Sequence, residues 1–173
     1  FLELIRCAKQ IIAVDADVSE MCHEVLKYCG VKYSYIENIY KKNEGKVATE
    51  IHNDRDFIDE VKKHDKYIVC CDSQTIAVWL NEELKDESIK VITDKTTDYN
   101  ESFDLDAYDK IIMSPKVIYG LDSILERPVF CYYKEHTIMP YGMVQQLNRC
   151  RNITQVYYRF VKKTFNHSRY ETM

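Results

Sequence analysis

The residues best equipped for chemistry lie in "MVQQLNRCRN", residues 143–152. On a helix, Met143, Leu147 and Cys150 fall at i, i+4 and i+7 and form the stripe expected to be buried. Gln145 and Arg149, at i and i+4, share the opposite face and can address one ligand together. Arg151 would rotate back toward the core if that helix continued. A guanidinium is permanently charged, so burying it unpaired is prohibitive. The helix is therefore expected to unwind around residues 149–152, or Arg151 to meet an anion. Two permanent cations converging at the end of an element suit the stabilisation of a phosphoryl group in transfer. The plainer alternative is that both pair with nearby carboxylates.

A second stretch, "SPKVIYGLDS" at residues 114–123, adds compatible groups. Ser114 and Lys116 offer a hydroxyl and a cation suited to phosphate. Gly120 allows close backbone approach, and Asp122 is an acceptor suited to a ribose hydroxyl or an arginine. Other chemistries find little support. With only Gly30, Gly45, Gly120 and Gly142, neither a G-x-x-x-x-G-K-[ST] phosphate loop nor a G-x-G-x-x-G turn can be assembled. In "VDADVS", residues 14–19, Asp15 is followed by Ala16. The second carboxylate of a Mg²⁺-binding strand end is therefore missing, and Asp17 faces the other way on an extended backbone. The five histidines are scattered and offer no nucleophile–base pair.

The elements that must position these residues follow from periodicity. Strands are expected at "KQIIAVD" (9–15), "KYSYIENIY" (32–40) and "KVATEIH" (46–52), with "KNEG" turning between the last two. "KYIVCCDS", "IKVIT", "YDKIIMS", "ERPVFCYY" and "ITQVYYRFV" read as further, buried strands. Helices are expected at "SEMCHEVLKYCG", capped by Asp17 or Ser19 and ended by Gly30. Three more are expected at "DRDFIDEVKKH", "QTIAVWLNEELK" and "PYGMVQQLNR", the last opening on Pro140. Continuous apolar strands alternating with amphipathic helices predict an α/β fold, a mainly parallel sheet flanked by helices on both faces. Ligands of such sheets bind beyond the carboxyl ends of the strands, which points to residues 72–73, 93–98, 114–116 and 119–123.

Composition bounds these readings. A chain of 173 residues, 46% apolar and 30% charged, is long enough for one core. No apolar run approaches a membrane span, so no membrane partner is expected. The opening residues read as the middle of an element, so a longer parent chain is expected. Net charge is −4, yet residues 134–173 carry seven Lys/Arg against two Glu, which permits a local anion site on an acidic protein. Seven cysteines, an odd number without a C-x-x-C pair and mostly within apolar runs, predict buried reduced thiols and an intracellular, reducing compartment. No zinc-ligand spacing is present.

The order of these motifs resembles the second RecA-like domain of superfamily 2 helicases, closest to the replication origin-binding helicase family of herpesviruses and large (giant) DNA viruses. "SPKVIYGLDS" is similar to motif V, a Ser/Thr-rich turn after a buried strand ending in G-x-[DS]. "QQLNRCRN" is similar to motif VI, Q-x-x-G-R-x-R-N, with Asn148 where glycine is usual. The helicase pattern more often spaces its arginines three apart. "YIVCCDSQTIAVWLNEEL" looks like motif IV with its helix, and "VITDKTTD" like the strand and turn that follow it. "IIAVDADVSEMCHEVLK" looks like motif III, in which D-A-[TD] replaces S-A-T.

The resemblance implies a RecA-like three-layer fold. Residues 1–40 would form the end of a first RecA-like domain and a linker, and residues 41–173 the second domain. It implies ATP with Mg²⁺ as cofactor, held mainly by the phosphate loop and carboxylates of a first domain of the same polypeptide. Arg149 and Arg151 would act as arginine fingers, Gln145 would sense the γ-phosphate, and Gly120 and Asp122 would complete the nucleotide site. Ser73, Thr93, Thr96, Ser114 and Lys116 would hold the phosphate backbone of a DNA single strand or fork, and Asp15 and Asp17 would couple the two sites. The implied activity is that of a viral replicative ATP hydrolase, inactive as this chain alone. Its setting would be the host nucleus or a cytoplasmic replication site. A catalytically inert RecA-like module that binds DNA or a partner is the alternative.

Overall fold

A computed structural model of the protein describes residues 1–13, 20–37, 43–95, 103–115, 121–134 and 137–161. The chain divides into two compact units, Phe1–Glu44 and Gly45–Met173.

The first unit holds two helices, α1 (Leu2–Cys7) and α2 (Glu20–Tyr28), neither with a buried residue. Gly30 follows α2 at φ +70°, a left-handed position that glycine reaches without a Cβ clash. The α1 helix was not anticipated by periodicity. The expected strands at 9–15 and 32–40 are not found: residues 9–13 and 32–37, the described parts of each, have no regular structure. Alternation alone makes no strand without a neighbour to complete the ladder. Tyr33 and Tyr35 instead gather on His23, with ring centroids 5.6 and 5.0 Å away, and the Tyr33 hydroxyl lies 3.0 Å from His23 Nδ1.

The second unit is a six-stranded, all-parallel sheet with helices, an α/β fold of the RecA-like three-layer kind. Its strands are β1 (Ala48–Glu50), β2 (Tyr67–Cys71), β3 (Lys90–Ile92), β4 (Lys110–Met113), β5 (Arg127–Tyr133) and β6 (Ile153–Phe160), in spatial order β1-β6-β5-β2-β4-β3. The turn at 43–45 forms, with Gly45 at φ +80°. The strand after it runs parallel to β6, with Ala48 opposite Val156.

Local chemistry sets the helices. In α3 (Asp54–Val61) the Asn53 side chain accepts from the Asp56 N–H at 2.8 Å, and Asp54 and Asp56 favour the positive end of the helix. In α4 (Gln74–Leu84) the Ser73 hydroxyl accepts from the Ile76 N–H at 3.2 Å. In α5 (Pro140–Leu147) proline fills a first-turn position where no N–H is needed. Both β2 and β5 are buried along their whole length. One face of the sheet, Val69, Cys71, Ile112, Phe130 and Tyr132, packs on Phe57, Ile58 and Val61 of α3 and Ile76, Leu80 and Leu84 of α4. The other, Ile68, Cys70, Met113, Val129, Cys131 and Val156, packs on Met143, Leu105 and Cys150. Burying both faces explains why these strands are apolar throughout rather than alternating.

Candidate functional site

Helix α5 ends at Leu147, and Asn148 closes it in an αR conformation with its N–H on Val144 O at 2.9 Å. The Arg149 N–H reaches Gln146 O and the Cys150 N–H reaches Leu147 O, so the last turn tightens before the chain straightens. Cys150 then forms a parallel bridge with Ser123: the Ser123 N–H donates to Arg149 O at 2.8 Å and the Arg151 N–H to Ser123 O at 2.7 Å. Arg149 and Arg151, on either side of this bridge, are both turned toward Asp122, while Cys150, 4% exposed, is turned into the core.

Asp122, the neighbour of Ser123, faces both cations. Its Oδ1 accepts from Arg149 Nη1 at 3.2 Å and its Oδ2 from Arg151 Nη2 at 2.7 Å. The three side chains stay partly open to solvent, at 22% for Arg149, 41% for Arg151 and 42% for Asp122. Two cations against one anion leave one net positive charge. The Nε of Arg149 is buried and has no hydrogen-bond partner among the described residues. Helix unwinding and anion pairing, offered as alternatives for Arg151, thus occur together, and the partner is a single carboxylate.

A buried polar network holds this segment. Arg127, 2% exposed at the start of β5, donates to the carbonyls of Tyr108 at 2.6 Å, Asp109 at 3.1 Å and Leu105 at 3.4 Å. It also reaches Asp106 Oδ1 at 3.2 Å and Ser123 Oγ at 2.8 Å. Asp106 in turn accepts from the Ser123 hydroxyl at 2.6 Å and the Ile124 N–H at 2.8 Å. Burial pushes the Asp106 carboxyl up, but the Ser123 hydroxyl, the Ile124 and Leu125 N–H groups and the Arg127 charge outweigh it and hold it below its ordinary value. Burial lowers the Arg127 pKa, against the opposing pull of neighbouring acidic groups. In the sequence Arg127 falls within "ERPVFCYY", a run that reads simply as a buried strand. The available signal was a permanent charge opening an otherwise apolar run.

The remaining expected residues fall elsewhere. Asp122, Arg149 and Arg151 precede β5 and β6, so they lie at the amino-terminal edge of the sheet and not beyond its carboxyl ends, as expected for residues 119–123. A parallel sheet puts all strand starts on one side, and the Ser123–Cys150 bridge extends β5 and β6 backwards from the Arg127–Ile153 pair. Ser73, Thr93 and Ser114 follow β2, β3 and β4 and lie at the carboxyl edge. There the Ser73 hydroxyl caps α4, Thr93 is fully buried with its hydroxyl accepting from the Lys95 N–H at 3.3 Å, and Ser114 is 4% exposed.

Gln145 does not occupy an outer helix face: it is 8% exposed, because α5 turns Gly142, Met143, Gln145 and Gln146 inward and leaves Leu147 only half-buried. Gln146 is the deeper of the two glutamines, donating to Cys71 O and Met113 O at 3.3 and 3.0 Å and accepting from the Tyr133 hydroxyl at 3.3 Å. Asp15, Asp17, Thr96, Lys116 and Gly120 lie outside the described residues.

None of the seven cysteines is in a disulfide; Cys70, Cys71, Cys131 and Cys150 are buried, whereas Cys7 and Cys22 are exposed. Burial pushes the Cys71 thiol up to about 12 and the Cys70 thiol well up, with Cys131 and Cys150 beside it, so neither is a nucleophile at neutral pH. Among the described residues no cluster of three or more His, Cys, Asp or Glu side chains is arranged to hold a metal. No protein-family model and no curated protein matches the sequence.

Proposed function

We propose that this chain supplies the second RecA-like half of an ATP-dependent DNA helicase or translocase of the replication origin-binding kind found in large DNA viruses. The observation that carries this reading is the convergence of Arg149 and Arg151 on Asp122, at an edge left partly open. The site keeps a residual positive charge and unused guanidinium donors, which fit the terminal phosphates of ATP. ATP with Mg²⁺ supplies the transferable phosphoryl group, and its phosphate loop belongs to a first RecA-like domain of the same polypeptide. The role of this chain is to bring two pre-aimed cations to the charge that develops in transfer.

The tracked DNA strand is assigned to the opposite, carboxyl edge, around Ser73, Thr93 and Ser114. Backbone contact suits a motor because it carries no sequence information. At that edge Thr93 and Ser114 are buried and the Ser73 hydroxyl caps α4. A second reading, an inert RecA-like module that grips DNA or a partner, is favoured by one observation: Asp122 already occupies both arginines.

The test is ATP hydrolysis by the complete motor that joins this chain to a phosphate-loop domain. Arg149→Ala and Arg151→Ala should leave nucleotide binding largely intact while the finger substitution cuts turnover by about 10³-fold or more. Turnover equal to that of the parent in both variants removes the role, and absence of nucleotide-stimulated hydrolysis by the parent selects the inert module. The chain by itself should not hydrolyse ATP.

A further inference from the structure

We propose that Asp122 is the displaceable counter-ion of an oligophosphate site, holding Arg149 and Arg151 until phosphate oxygens take its place. This rests on the reading of the arginine pair as phosphate-facing and adds to it how the site is kept when empty.

The contact geometry is that of a loosely held pair. Asp122 gives one oxygen to each guanidinium, so neither arginine is engaged fork-to-fork, the strongest arrangement open to it. Each guanidinium has five N–H donors, and one from each is used on Asp122. The buried Nε of Arg149, with no hydrogen-bond partner among the described residues, is a further donor. Because the side chains are partly exposed, solvent screens the pair and it is weakly held. An oligophosphate brings more charge and more acceptor oxygens than one carboxylate, so it outcompetes Asp122 for the same two cations.

Two other arginine pairs of this unit are closed by comparison, while the Arg55–Asp59 pair on α3 is open but involves a single arginine. Arg127 is buried among five acceptors. Arg159, 14% exposed, bonds Asp54 at 2.5 Å and also the His52 carbonyl, while Asp54 accepts from the Tyr132 hydroxyl at 2.8 Å. At Asp122 the exchange needs no backbone movement. Ser123 is bonded through its backbone to Arg149 and Arg151, and through its hydroxyl to Asp106 and Arg127. Rotation of the Asp122 side chain alone opens the site, and the two guanidiniums stay aimed, so the cost of ordering is met before the anion arrives.

Calorimetric titration of this chain with inorganic tripolyphosphate, at fixed ionic strength because salt screens the contacts, tests the proposal. Asp122→Asn, which keeps the shape and removes the charge, should tighten binding by about tenfold, the scale of relieving two exposed charge-assisted contacts. Asp122→Ser should do the same, and thermal unfolding of both variants checks that the fold is kept. Adding Arg149→Gln or Arg151→Gln to Asp122→Asn should abolish the gain. Tripolyphosphate has no ribose, so a sugar contact by Asp122 cannot enter this result. ATP titrated in parallel measures that contact as a smaller gain. An oligothymidylate that gains equally and competes with tripolyphosphate identifies nucleic-acid backbone as the source of the phosphates; no such gain identifies a nucleotide. Unchanged or weaker tripolyphosphate binding in both Asp122 variants, with binding still dependent on the arginines, overturns the counter-ion and leaves the arginine reading intact. Binding indifferent to Arg149→Gln and Arg151→Gln in either background overturns both.

Discussion

Replacing Arg127 by methionine is the perturbation for which the structure sets a magnitude. The side chain is 1% exposed and donates to three backbone carbonyls, one carboxylate and one hydroxyl. Two effects compete. Removing a guanidinium relieves its desolvation, and when a whole buried ion pair is exchanged for apolar groups the change is often neutral or stabilising. Here the carbonyls of Leu105, Tyr108 and Asp109 cannot be exchanged, and they are left without this donor inside the protein. Breaking one side of a buried pair costs about 3–5 kcal/mol. Asp106 keeps its bonds from Ser123 and Ile124, which places the expected loss near the lower bound, at about 3 kcal/mol.

Urea unfolding followed by the fluorescence of Trp79 is the assay, since this sole tryptophan sits in α4 with its ring 5.3 Å from that of Tyr132 and reports on the sheet-bearing unit. The midpoint should fall with the slope unchanged. Arg127→Lys, which keeps the charge but loses the planar fork, should recover part of the loss. A methionine variant within about 1 kcal/mol of the parent would refute the reasoning, because desolvation would then have cancelled the bonds.

Three further outcomes are expected. Ser73→Ala removes the cap of α4 and should cost about 1 kcal/mol in the same unfolding assay. Ser73→Asp keeps the cap but should weaken oligothymidylate binding, and unchanged binding confines Ser73 to capping. The Asp86 carboxyl is held down to about 2 by the Lys110 ammonium at 2.6 Å and by the hydroxyl and N–H of Ser88. Its folded value lies below the ordinary 3.8, so the stability it lends is present above about pH 4 and is lost as pH falls through 2. Asp86→Asn should therefore flatten the acid limb of the stability profile over that window, by less than about 1 kcal/mol for so exposed a pair, and an unaltered limb would remove the contribution.

Helices α3 and α4 were readable because an Asn or Ser cap followed by apolar residues at helical spacing is a local signal. Strands β2 and β5 were readable because burial on both faces leaves an uninterrupted apolar run. The strand at 32–40 was misread because alternation describes a face without naming a neighbour, and the described residues there have none. Gln145 was misplaced for a related reason. The stripe through Met143, Leu147 and Cys150 assumes a helix continuing to residue 150, but α5 stops at Leu147 and turns both glutamines inward.

The sequence alone determined the α/β class, the alternation of strands and helices, and the need for Arg151 either to leave the helix or to find an anion, since a permanent charge cannot be buried alone. The tertiary structure decided which strands are neighbours, that β1 runs parallel to β6, and that Asp122 meets both arginines across a gap of 27 and 29 residues. It also decided that this site lies at the amino-terminal edge while Ser73, Thr93 and Ser114 lie at the other. Periodicity is fixed within a few residues of chain. Pairing, edge and partner are fixed by how separate segments share one core, and no single segment carries that information.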